Sequence, residues 1–158
     1  MNNIKNITKI TFFSSIICIG IGLTGNAQDS TTILPEKLKT VNGESISRAQ
    51  LKGKVVALYF SAHRCVKCRE FTPSLVEFHK QNRGDDFEIV FVSFDNTADL
   101  KKQYINETGM EFITVAGNKA QDHFNLANKY GVNMLPRLIV FAPDGTRISE
   151  DAKGDVSA

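Results

Sequence analysis

No low-complexity tract and no internal repeat runs through the 158 residues, which excludes solenoid and fibrous architectures. Neither sign of charge dominates. The chain has 19 Lys and Arg against 17 Asp and Glu, and no basic stripe with interleaved aromatics, so no nucleic-acid partner is expected. The longest apolar run without a charge, Ile10 to Leu23, has 14 residues. A membrane-spanning helix needs about 20. Cysteine is scarce as well. With three in the chain and one close pair, there is no second pair to complete a four-ligand zinc site.

What is present divides the chain unevenly. Lys5 and Lys9 form a basic front to the apolar run, and Gly25-Asn26-Ala27 places small residues where a signal peptidase cuts. Residues 1–27 are read as a secretory signal peptide, residues 28–36 as a polar linker ending near Pro35, and residues 37–158 as one domain. The expectation is export to the periplasm or the medium, with no stable membrane insertion after cleavage. The alternative is an anchor formed by the uncleaved segment. Residues 1–27 hold two of the basic residues and no acidic one, so cleavage leaves 17 of each and no net charge. Cys18 lies within the signal, and bulky Ile17 before it argues against lipid attachment.

Periodicity outlines an α/β layered domain. Leu38 to Val41 and Ser45-Ile46 flank Asn42-Gly43, which predicts a hairpin with a two-residue turn. Val55 to Ser61 is apolar on both alternations, as a strand covered on both faces should be. A helix is expected from about Cys68 to Gln81, kinked at Pro73, then a strand over Phe87 to Phe94. Asp95-Asn96-Thr97 supplies cap chemistry for a helix from Ala98 to Glu107. A weak strand (Glu111 to Val115), a helix (Ala120 to Tyr130, stopped by Gly131) and strands Arg137 to Phe141 and Thr146 to Ser149 complete the pattern. Phe71, Phe78, Phe91, Phe94 and Phe124 are core candidates, and His79 and His123 are read as surface or boundary residues.

The chemistry sits at Cys65-Val66-Lys67-Cys68. A disulfide closing so small a loop constrains little chain entropy, so a reactive role fits better than a structural one. Where a buried strand hands over to a helix, a thiolate faces unpaired N–H groups and the positive helix end, which lower its pKa. Cys68, nearly one turn on, lies beneath Cys65. Cys65 is thus the expected nucleophile and Cys68 the resolving thiol. A zinc site would need further ligands, and His79 lies 11 residues beyond Cys68, about 16 Å along the helix. No metal and no cofactor are expected.

The stretch Leu58-Tyr59-Phe60-Ser61-Ala62-His63-Arg64-Cys65-Val66-Lys67-Cys68-Arg69-Glu70-Phe71-Thr72-Pro73 closely resembles the active-site strand and helix of the thioredoxin superfamily, in particular its tryparedoxin and nucleoredoxin branch. The Leu135-Pro136 step and the Phe91 to Asp95 strand end resemble the same family, over about residues 38–150. The resemblance implies a thioredoxin-like fold: a central mixed β-sheet flanked by helices, with an N-terminal β-hairpin and here a shortened C-terminus. It implies a cis Pro136 beside the cysteines, with the backbone at Leu135 binding an extended substrate. It also implies protein disulfide or dithiol substrates and a separate redox partner. Three positions depart from the family. Arg64 replaces the tryptophan before the first cysteine, and the chain contains no tryptophan; Val66-Lys67 replaces Gly-Pro or Pro-Pro; Tyr59 stands where thioredoxin has a buried aspartate. Arg64, Lys67 and Tyr59 are therefore candidates for tuning the cysteine pKa, with His63 beside them, making the pair more oxidising than thioredoxin. The polar stretch from Glu150 to Ala158 stands where relatives carry a final helix, so either that sheet face stays partly open, or residues 28–36 or a partner cover it, or the sequence ends early; an open face would favour a weak homodimer. Competing readings are a thiol peroxidase and a non-catalytic scaffold that binds a metal or a partner chain.

Overall fold

The computed structural model of the chain describes residues 29–117 and 121–156. The signal-peptide reading of residues 1–27 lies outside them. Seven strands form one mixed sheet in the order β2-β1-β5-β4-β3-β6-β7. They are β1 (Leu38–Lys39), β2 (Ser45–Ile46), β3 (Val55–Ser61), β4 (Phe87–Ser93), β5 (Ile113–Val115), β6 (Arg137–Phe141) and β7 (Arg147–Ser149). The helices are α1 (Val66–Asn82), α2 (Ala98–Thr108) and α3 (Gln121–Lys129). β3 and β4 run parallel, Val55 opposite Phe87 through Ser61 opposite Ser93, while β6 runs antiparallel to β3 on its other side. Every residue of β3 is buried, which is why its sequence shows no polar alternation.

The alternation of β3 assigns its side chains to two cores. Val55, Ala57 and Tyr59 face α1 and α2 with Leu75, Val76, Phe78, Tyr104 and Phe112; Val56, Leu58 and Phe60 face α3 with Leu126 and Ala127. Each apolar side chain fully buried there contributes about 1.5–3 kcal/mol. Pro73 sits on the exposed side of α1, and the helix continues through it. Thr97 caps α2 through Oγ1, which accepts from Leu100 N at 3.2 Å, and Gly109 ends it in the left-handed region at φ 66°.

Several expectations need correction. Within the segment read as a linker, residues 29–34 pack onto the domain. Asp29 caps a 3-10 turn over Ser30–Ile33, Ile33 and Leu34 are buried in the α3-side core, and the Arg48 guanidinium donates to Leu34 O at 3.1 Å. The first hairpin turns through three residues, not two. Gly43 N donates to Thr40 O at 3.0 Å and Thr40 N to Glu44 O at 2.9 Å, with Gly43 at φ 90°. Pro143-Asp144-Gly145 repeats that loop between β6 and β7.

His79 and His123 are buried, not at the surface: His79 Nε2 is bound to Glu88 at 2.7 Å, and His123 lies fully inside under α3. Phe124, expected in the core, is exposed. The sheet face left without a final helix is covered in part by the C-terminal stretch itself. A 3-10 turn at Ala152–Asp155 inserts Ala152 and Val156 into the core that α1 and α2 close. Among the described residues the exposed large hydrophobics are Val66, Phe124 and Met134.

Candidate active site at the Cys65–Cys68 disulfide

The parallel pair β3 and β4 ends at one level, where Phe94 N donates to Ser61 O at 2.8 Å. The chain then turns through Ala62, His63 and Arg64, with Cys65 N donating to Ala62 O at 3.1 Å. Cys65 is the N-cap of α1. Its Sγ accepts from Cys68 N at 3.2 Å, and Arg69 N donates to its carbonyl at 3.1 Å. The helix therefore starts earlier than its hydrophobic spacing suggests, because sulfur does the capping. The two cysteines are joined as a disulfide, with Cα atoms 5.1 Å apart. Cys65 is half-buried and Cys68 fully buried, so only the first sulfur is open to an incoming group. As a thiolate, Cys65 would keep the Cys68 N–H as a charge-assisted bond and face the positive end of a 17-residue helix.

Beneath the disulfide lies a buried hydroxyl network that the sequence did not reveal. Thr72 Oγ1 contacts Cys68 O at 2.7 Å, Tyr59 OH at 2.7 Å and Tyr104 OH at 2.5 Å, and Tyr104 OH meets Ser61 Oγ at 3.0 Å. The carbonyl can only accept, so the Thr72 proton points to Cys68 O, and both phenols donate to Thr72. Ser61 in turn donates to Tyr104. Burial and neighbouring Tyr104 push the Tyr59 pKa well above the ordinary phenol value. Tyr59 thus holds its proton and, through Thr72, fixes the backbone under Cys68.

Asp95 braces the loop from the side. Buried at the end of β4, its carboxylate accepts from His63 N at 2.7 Å and from Ser93 Oγ at 2.9 Å. The sequence places Asp95 at a family-like strand end and before a helix, but gives it no brace. Its tie to His63 joins distant segments and leaves no local signal. The His63 ring turns away from Cys65 to meet Glu107 Oε2 at 2.9 Å. Glu107 is held below the usual carboxylate range, first by Gln103 and then by His63. Behind Asp95, Lys101 Nζ donates to Thr114 Oγ1, Val115 O and Gly117 O at 2.8–3.1 Å. Burial lowers its pKa to about 8, against the supporting charge of Asp95. Arg64 and Lys67 are exposed, and neither forms an ion pair or side-chain hydrogen bond with another described residue.

The second arm of the site is the loop before β6. The Leu135–Pro136 bond is cis. Phe60 pairs with Arg137, so continuing that register carries Pro136 and Leu135 alongside the chain leading to Cys65; Leu135 and Cys65 pack on one core. Leu135 precedes the ladder and takes none of its bonds. Lys153 Nζ donates to Pro136 O at 2.8 Å and pairs with Asp151 at 3.1 Å, and Arg137 meets the same carboxylate at 3.5 Å. The polar end of the chain therefore clamps this loop.

A model of the Thioredoxin-like family matches residues 53–147, spanning the disulfide, the hydroxyl network and Pro136. The chain belongs to the thioredoxin-like family. Nucleoredoxin of Bos taurus is 38% identical over 117 residues, which is 73% of this chain and 26% of that protein. Probable nucleoredoxin 3 of Arabidopsis thaliana is 36% identical over 106 residues, with 66% and 26% covered. The chain thus spans about a quarter of the length of these curated relatives. Among solved structures, thioredoxin from Wuchereria bancrofti superposes at a TM-score of 0.72 with 39% identity, covering 79% of this chain and 88% of that one. Native tryparedoxin I from Crithidia fasciculata superposes at 0.70 with 29% identity, covering 81% and 88%. The thioredoxin-like fold and the nucleoredoxin and tryparedoxin branch expected from the sequence are therefore shown, and a redox enzyme in general is supported.

Proposed function

We propose that the chain is an exported thiol–disulfide oxidoreductase acting on protein disulfides or dithiols. The observation that carries this reading is the asymmetric pair: Cys65 Sγ half-exposed at the N-cap of α1, joined to buried Cys68. In the reducing direction the Cys65 thiolate attacks one sulfur of a substrate disulfide. A Cys65–substrate S–S bond forms, the substrate S–S bond breaks, and the leaving sulfur departs as a thiolate that takes a proton from solvent. Deprotonated Cys68 then attacks Cys65 Sγ, the Cys65–Cys68 bond forms, and the second substrate thiolate leaves. Two electrons have passed to the substrate. Running backwards, the same steps oxidise a substrate dithiol. Leu135, outside the sheet ladder, would hold an extended substrate by strand addition, with Pro136 keeping that backbone beside the sulfurs. A separate redox partner resets the pair; for reduction in an exported compartment it must be fed from the membrane.

Insulin reduction tests the reading. Activity should vanish in Cys65→Ser and Cys68→Ser, and Cys68→Ser should trap a mixed disulfide through Cys65. Undiminished activity in either variant would sink it. Export predicts a mature chain beginning at Gln28, read by N-terminal sequencing of the secreted or periplasmic protein. The unpaired charges of Arg64 and Lys67 would favour the thiolate and so the reduced state. The potential should then lie above the roughly −270 mV of thioredoxin. A glutathione titration giving a lower value contradicts that role.

A further inference from the structure

Resting on the exchange reading above, the geometry points to a substrate preference: the site selects segments that carry acidic side chains beside the disulfide, with apolar neighbours. Two of the three exposed large hydrophobics among the described residues bracket the pair. Val66 is 59% exposed between the cysteines, and Met134 is 70% exposed just before Leu135-Pro136. Register brings these two segments side by side, since Pro136 follows on from the pairing of Arg137 with Phe60 at the mouth of β3. They offer apolar contact to the neighbours of a substrate cysteine.

The charges around them are unbalanced. Arg64 and Lys67 are exposed beside the sulfurs, while Arg69, also exposed, interacts with the Glu107 carboxylate. Nearby carboxylates are occupied: Asp95 by His63 N and Ser93, Glu107 by His63 and Gln103, Asp151 by Arg137 and Lys153. Glu70 is exposed and unengaged, but it lies four residues, about one turn, beyond Val66 and away from the sulfurs. The rim therefore presents a cationic excess around Cys65, and the positive end of α1 adds to it. A carboxylate next to the attacked sulfur meets two free cations; a lysine there meets repulsion.

The test uses disulfide-linked peptides of one length whose flanking residues are acidic, neutral or basic, presented to the full reduced chain with exchange followed in stopped flow. The acidic peptide should react about tenfold faster than the basic one at low ionic strength, a ratio set by two exposed charge pairs. High salt should collapse it. Arg64→Glu with Lys67→Glu should reverse the order, and Met134→Ser should slow exchange with leucine-flanked peptides more than with glycine-flanked ones. Equal, salt-independent rates for all three peptides would overturn the preference and leave the exchange reading standing. No exchange with any peptide would overturn both.

Discussion

Removing the Asp95 carboxylate should loosen the loop that presents Cys65. The side chain accepts two hydrogen bonds in the folded state, from His63 N at 2.7 Å and from Ser93 Oγ at 2.9 Å, and it is 2% exposed. A hydrogen bond to a charged group contributes about 1.5–3 kcal/mol. In Asp95→Ala the Ser93 hydroxyl can rotate and water can reach His63, so the loss falls short of twice that value, at about 2–4 kcal/mol. Lys101 adds to the cost, because the carboxylate that supports its charge is gone and its pKa falls further below about 8. Asp95→Asn keeps an acceptor for His63 N–H but turns a donor toward Ser93, and should cost about 1 kcal/mol. Urea denaturation of the oxidised protein should give midpoints in the order wild type, Asn, Ala, with unchanged slope. Exchange through Cys65 should slow about tenfold in the alanine variant, since displacement of the nucleophile by an ångström is costly. An alanine variant within about 0.5 kcal/mol of wild type would refute the bracing role, that being the scatter of ordinary surface substitutions.

Two further outcomes follow from groups outside the cysteine pair. Burial lowers the His123 pKa from 6.5 to about 4, so the unfolded chain takes a proton in that window that the folded chain resists. Its share of stability is complete above about pH 6.5 and lost as the pH falls toward 4, by about 3 kcal/mol, and His123→Gln should flatten that slope; parallel stability–pH curves would refute this. Lys153→Met frees Pro136 O and should cut kcat/KM on peptide disulfides about threefold, at a cost of about 1–2 kcal/mol in stability. Alkylation of Cys65 should stay unchanged, which separates positioning of the substrate loop from the chemistry; an unaltered kcat/KM would count against it.

The legible parts of the molecule were those whose cause is local. Val55 to Ser61 announced a doubly covered strand because all seven side chains are buried, and the cysteine spacing announced the strand-to-helix corner. Resemblance in the same stretch supplied the family and the cis Pro136. Apart from the length of the first hairpin turn and the start of α1, the misreadings concern residues whose environment is set at long range. Ile33 and Leu34 looked like linker because their core partners arrive from α3 and β6. His123 looked superficial because an isolated histidine carries no sign of what will cover it. Thr72, Tyr104 and Asp95 were passed over or read as helix punctuation, since a hydroxyl network and a side-chain brace have no period. Lys153 was hidden in a polar stretch whose only visible feature was the lack of a helix.

The clamp from Lys153 to Pro136 has a consequence for how the molecule comes to life. Cys65 and Cys68 leave the ribosome well before the loop that flanks them and the residue that fixes it. Contacts between segments so far apart in the chain are the slow, entropically costly ones to close. Until they close, the two cysteines lack the flanking Leu135–Pro136 loop, although the Cys65 cap on Cys68 N is local to α1. The substrate-facing half of the site is therefore conferred by long-range closure of the fold, and the cysteine half by local helix geometry.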